Sequence, residues 1–184
     1  MNYADITLRI AGVVQDSIVD GPGLRFTLFV QGCPHRCPGC HNPQTHDPAG
    51  GYDCSLQKIL DAVDKNPLVS GVTLSGGEPF SQPEPLAVLA GALRQRGKNI
   101  IVYSGYTFEE LLSRAEREPA VIELLSRCDY LVDGRFILAQ KNLLLRWRGS
   151  DNQRIVYLPD SLREKRAVTR EDMTFSDDRT DVEM

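Results

Sequence analysis

Apolar positions along this chain fall into two alternating patterns, short continuous runs and stretches spaced at helical intervals. Leu24 to Val30 is an almost unbroken apolar run and predicts a buried strand. Ile6 to Val14, apolar and partly β-branched, predicts an earlier strand covering the sheet. From Ser55 the spacing changes: Leu56, Ile59, Leu60 and Val63 share one helical face, with Ser55 as N-cap. Val69 to Leu74 predicts the next strand. Leu86, Leu89, Ala90 and Leu93 mark a second helix that Gly97 can end, and Asn99 to Tyr103 a third central strand. Thr107-Phe108-Glu109-Glu110 is a capping box opening a helix through Leu111 and Leu112. A further helix is expected from Pro119 through Leu125, then strands at Tyr130–Val132 and Arg154–Leu158. Strands separated by helices pair in parallel, and about five or six are too few to close an eight-stranded barrel. The expected fold is therefore α/β, a partial (β/α) barrel of mostly parallel strands spanning residues 1–159. From Asp160 onward, thirteen of twenty-five residues are charged, so 160–184 is expected as a flexible polar tail.

Composition narrows the classes of function. With 184 residues, 41% hydrophobic and 25% charged, the chain can bury one ordinary core. A net charge of −4 argues against a nucleic-acid surface. No stretch approaches the roughly eighteen apolar residues of a membrane span, and no basic region precedes an apolar core at the N-terminus. A cytoplasmic location is expected, with neither membrane nor nucleic acid as partner. Of five cysteines, an odd count, the three that cluster read in such a chain as metal ligands rather than disulfides.

Three of them stand together. Cys33, Cys37 and Cys40, spaced C-x3-C-x2-C, follow the strand ending at Val30, where α/β sheets place their ligands. Thiolates hold iron–sulfur clusters or zinc, and Pro34, Pro38 and Gly39 let the backbone curl around either. Three thiolates leave one corner of a four-iron cluster open to a small molecule. Zinc would need a fourth ligand, for which His35, His41, His46 and Cys54 are close enough in sequence. Cys54 and Cys128 fit ordinary packing. A second block, Ser75-Gly76-Gly77-Glu78-Pro79, follows the strand ending at Leu74. Paired glycines allow close backbone approach to a ligand, and a neighbouring carboxylate can accept from an amine.

The C-x3-C-x2-C run resembles the signature of radical S-adenosylmethionine (SAM) enzymes, in which the open iron is chelated by SAM. Asp20-Gly21-Pro22-Gly23-Leu24-Arg25, Phe29-Val30-Gln31-Gly32 and His41-Asn42 resemble the activases of glycyl-radical enzymes. Tyr103-Ser104-Gly105-Tyr106, Leu131 to Phe136 and Trp147 to Gln153 resemble the branch that activates anaerobic ribonucleoside-triphosphate reductase. The resemblance implies a [4Fe-4S] cluster on Cys33, Cys37 and Cys40, SAM held by Gly76, Gly77 and Glu78, and a glycyl radical placed on the reductase. It also implies an electron donor such as flavodoxin or ferredoxin. Ser104, Asp133, Asn152 and Gln153 become candidate contacts to SAM or the protein substrate. Two departures stand out. Many radical SAM proteins carry an aromatic residue before the third cysteine, where this chain has Gly39, so contact to adenine must come from elsewhere. Tyr103-Ser104 replaces an Asp-Thr pair of the pyruvate formate-lyase activase, and with it that aspartate's cation site. Alternatives are an activase of pyruvate formate-lyase type, a small radical SAM synthase of deazaguanine biosynthesis, and a zinc-binding module.

Overall fold

The computed structural model describes residues 2–175. Its elements in chain order are β1 (Thr7–Ser17), β2 (Arg25–Val30), β3 (Tyr52–Ser55), α1 (Leu56–Asp64), β4 (Gly71–Gly76), α2 (Pro83–Gln95), β5 (Asn99–Tyr103), α3 (Phe108–Ala115), α4 (Pro119–Arg127), β6 (Tyr130–Asp133), β7 (Arg154–Tyr157), α5 (Leu158–Glu164) and β8 (Thr169–Arg170). They build one sheet ordered β3-β1-β2-β4-β5-β6-β7-β8. The central strands β2, β4, β5 and β6 pair in parallel. On one side β1 and β3, on the other β7 and β8, extend it antiparallel. β3 and β8 do not pair with each other, so the sheet stays open.

Local chemistry sets the helices where the spacing predicts them. The Ser55 side chain accepts from the Lys58 N–H at the start of α1, and Thr107 and Glu110 form a reciprocal capping box on α3. The sheet's two faces differ in character. Phe26, Leu28, Val30, Val72, Leu74, Ile100, Val102, Leu131 and Val156 face the helices and bury the main core with Leu60, Leu89, Leu93 and Leu124. Alternate positions face the other way, where a smaller cluster gathers Ile101, Tyr130, Val132 and Ile155 around Met173. Toward β2 and β4 that second face turns polar. There Arg25, fully buried, donates to the Thr73 hydroxyl (2.7 Å), the Val72 carbonyl (2.8 Å) and the Asn99 side chain (2.6 Å), tying β2, β4 and β5 together. Burial pulls its pKa down to about 10.

The parallel centre, its helices and the flanking strands β1 and β7 agree with the sequence pattern, and the outer strands β3 and β8 do not. Eight strands form among the described residues rather than five or six. β3 is short and mostly exposed, with no apolar alternation to announce it. The chain beyond Asp160, expected as a flexible tail, continues as α5 and β8. Ser161 and Met173 are buried in it, and Phe175 packs edge-on against Tyr130. Its charges are spent on the outer surface, as in Arg163 and Arg170 with Asp160. The remainder of the expected tail, 176–184, lies outside the described residues. None of the described helices is long and apolar enough to cross a membrane.

Candidate functional site at the strand ends

The loop leaving β2 carries the three clustered thiols and is closed on itself. Gly32 N–H donates to the Thr45 carbonyl (2.8 Å) and Cys33 N–H to the His46 carbonyl (3.1 Å). The buried Gln31 amide crosses the base to the carbonyls of Gln44 (3.1 Å) and Asp47 (2.6 Å). Within the loop, Arg36 and Gly39 take positive φ of 47° and 74°, which turns the chain twice in four residues. Cys33, Cys37 and Cys40 are all free and partly exposed. They face one cavity of about 830 Å³ on the helix-free side of the sheet, lined also by Phe29, Ser75, Gly76, Gly77, Tyr103, Ser104, Phe136 and Trp147. Burial, with the nearby Glu78 and Cys37 as lesser causes, pushes the Cys33 thiol up, while backbone N–H groups of His35 and Arg36 oppose it.

Gly76 and Gly77 stand where β4 meets this loop. Gly77 N–H donates to the Val30 carbonyl and Glu78 N–H to the Gly32 carbonyl, both at 2.8 Å. Gly76 has φ of +95°, and a Cβ there would stand 2.6 Å from the Phe29 Cα; one on Gly77 would stand 2.3 Å from the Gly32 oxygen. The pair thus brings backbone against backbone, sealing β4 to the thiol loop, as well as lining the cavity.

Glu78 is fully buried and absent from the cavity wall. One carboxylate oxygen accepts from Phe80 N–H (3.0 Å) and the Ser104 hydroxyl (2.9 Å). The other accepts from Gly105 N–H (2.8 Å) and lies 2.9 Å from His35 Nε2. His35 stacks edge-on against Tyr106 at 4.4 Å and fits only because position 105 is glycine, where a Cβ would come within 2.3 Å of its ring. One carboxylate therefore joins the thiol loop, the end of β4 and the end of β5.

The chain matches a family described as "4Fe-4S single cluster domain" over residues 19–156. It is 38% identical to the anaerobic ribonucleoside-triphosphate reductase-activating protein of Escherichia coli (strain K12) and 37% to that of Salmonella typhi, each over 77% of this chain and 93% of the relative. The protein of the same name from enterobacteria phage T4 is 33% identical over 74% of this chain and 86% of its own. This chain belongs to the anaerobic ribonucleoside-triphosphate reductase-activating protein family. The crystal structure of QueE from Escherichia coli aligns with 57% of the activating-protein chain and 55% of its own at TM-score 0.45 and 16% identity, a likeness too slight to bear on function.

The donor set of this activating-protein family member fits a [4Fe-4S] cluster. Three free thiols face one cavity from a curled loop, and Asn42 N–H donates to the Cys40 sulfur at 3.4 Å, the kind of contact that stabilises a cluster's thiolate. A single zinc ion fits less well. Among the described residues no group of three or more His, Cys, Asp or Glu side chains is arranged to hold one ion. His35 is committed to Glu78, and Cys54 lies on β3 opposite Leu8, its thiol directed to the Ser55 carbonyl.

Of the residues singled out from sequence, Cys33, Cys37, Cys40, Gly76, Gly77, Ser104 and Gln153 meet at the cavity, while Glu78 and Asp133 do not. Asp133 is almost fully buried, accepts from Phe108 N–H (2.8 Å) and pairs with Arg154 (2.5 Å), which also reaches Glu109 (2.7 Å). These bonds hold Arg154 charged and keep the Glu109 carboxyl below the usual carboxylate range. Asn152 and Gln153 work on the backbone: Asn152 donates to the Arg135 carbonyl (2.8 Å) and Gln153 to the Gly134 carbonyl (2.9 Å). Sequence reasoning missed the pairing of His35 with Glu78 and the places of Phe136 and Tyr103 in the cavity wall. His35, weighed only as a fourth zinc ligand, instead meets Glu78, 43 residues away. Phe136 carries no signal until folding brings it to 3.4 Å from a Cβ built on Gly39 and 5.2 Å from the His41 ring.

Proposed function

We propose that this protein is a radical SAM activase that generates a glycyl radical on anaerobic ribonucleoside-triphosphate reductase. The observation that carries the reading is the convergence of Cys33, Cys37 and Cys40 on one cavity whose wall includes the Gly76–Gly77 backbone, in a chain of the activating-protein family. Cys33, Cys37 and Cys40 would hold the cluster by three corners. Held there, such a cluster would supply the one-electron reduction that cleaves SAM and so the hydrogen-atom abstraction from a glycine Cα of the reductase. The chain's own part is orientation and exclusion of water. The Gly76–Gly77 backbone fixes the cavity wall across from which SAM would lie. Phe136, against Gly39 and His41, supplies the apolar face for adenine that position 39 lacks. Glu78 and Asp133 serve as positioning residues, one for the thiol loop and one for the start of α3. A flavodoxin- or ferredoxin-type donor would deliver the electron.

Anaerobically reconstituted protein should bind about four irons and four sulfides, matching a single cubane cluster. Mixed with SAM, reductant and the reductase, it should raise a glycyl-radical doublet in electron paramagnetic resonance. Cys37→Ser should lose cluster and doublet together, and Cys128→Ser neither. Stoichiometric zinc without visible charge-transfer absorbance would refute the cluster. A doublet only on pyruvate formate-lyase would redirect the substrate.

A further inference from the structure

Two exposed apolar edges border the mouth of the cavity. On the turn after β1, Ile18 and Val19 are 72% and 74% exposed; on the excursion between β6 and β7, Leu143 and Leu144 are 83% and 93% exposed. Val19 and Leu143 also reach the cavity wall. The excursion is held in shape rather than loose. Gln153 and Asn152 pin its neck, Gln153 also accepts from Gly149 N–H (2.8 Å), Asn142 donates to Asp151 (2.7 Å), and Lys141 bridges Ser150. Its far side is fastened by Trp147, whose carbonyl accepts from the Tyr103 hydroxyl (2.9 Å) and whose indole N–H donates to Asp172 (2.8 Å). Charge adds a second peculiarity. Residues 135–150 contain Arg135, Lys141, Arg146 and Arg148 and no acid, in a chain of net charge −4. Arg135 and Lys141 are exposed, and neither has an ion-pair partner among the described residues, whereas Arg146 pairs with Asp172.

Large apolar side chains left in water at two edges of one cavity mark a surface built to be covered. We propose that the Ile18–Val19 turn and the 135–150 excursion form the docking surface for the reductase, taking an extended apolar segment with acidic flanks. This rests on the functional reading above. A segment that carries a glycine α-carbon to the thiol-lined cavity between these two edges would touch both, since Val19 and Leu143 line the cavity themselves, and an extended chain is the narrowest form that can do so. The apolar edges supply contact area, and Arg135 and Lys141 select acidic neighbours and speed encounter.

The test uses reconstituted holoprotein carrying Ile18→Asp and Leu144→Asp, neither of which lines the cavity. Radical yield against reductase concentration should show the apparent KM for reductase raised at least tenfold, with iron content and reductase-independent SAM cleavage unchanged. Arg135→Glu with Lys141→Glu should raise KM several-fold at low salt, the gap closing near 1 M KCl, where screening acts within about 3 Å. Unchanged KM in the first variant would overturn the docking surface, and equal KM at low salt in the second would overturn its acidic partner. A wild-type dimer that the first variant splits in sedimentation would assign the apolar edges to a second copy instead. No doublet with the unsubstituted protein would overturn this reading and the functional one together, whereas a doublet with unchanged KM overturns this one alone.

Discussion

Glu78 looks in sequence like a ligand for an amine and behaves in the fold as a junction. Its two oxygens are occupied by Phe80, Ser104, Gly105 and His35, all at 2.8–3.0 Å, and none of it meets solvent. Replacing one oxygen by an amide sets an N–H donor against at least one of the N–H donors now satisfied. Glu78→Gln should therefore cost about 1–3 kcal/mol of stability, the usual penalty for a buried donor left unpaired. It should weaken SAM binding indirectly, by loosening the seam between the thiol loop and β5, while the iron content holds. Thermal unfolding and titration calorimetry on the same preparation decide the matter. An unchanged melting temperature with lost SAM affinity would make Glu78 a direct ligand after all. Asp133 is the same kind of residue, its carboxylate satisfied by Phe108 N–H and Arg154.

Among elements, the β6–β7 excursion depends most on a distant part of the chain. Asp172 accepts from the Trp147 indole and pairs with Arg146. The Trp147 hydrogen bond is the chief cause holding the Asp172 carboxyl below the usual carboxylate range. The sign follows from that direction. A depressed folded pKa makes the clip's contribution fully present above the unfolded value of about 3.9 and lost as pH falls through the folded value. Trp147 is the chain's one tryptophan, so its fluorescence reports the clip alone. An acid titration should show a transition below about pH 3.9, which Asp172→Asn removes. A transition that persists in the variant would mean that other groups hold the loop.

At the scale of the whole molecule, the parallel centre and its helices were legible because each buries one face, and burial writes its period into the sequence. β3 and β8 were not, being short edge strands with exposed side chains, and α5 was hidden by the charges on its outer face. At the site, the meeting of Cys33, Cys37, Cys40, Gly76 and Gly77 at one cavity was legible, because each group follows the end of a neighbouring parallel strand. The burial and partners of Glu78 and Asp133 were not, because, Phe80 apart, those partners lie 21 to 43 residues away. The uneven burial of the five thiols has a practical consequence. Cys128 is sealed in the core, while Cys33, Cys37, Cys40 and Cys54 each keep some exposure. Iodoacetamide should thus add four groups to the native metal-free chain, the fifth appearing only in denaturant. Cluster assembly withdraws three of those four, leaving Cys54 as the lone alkylated site. The mass of the alkylated protein then reads out what fraction of a preparation is loaded, molecule by molecule, without any assay of turnover.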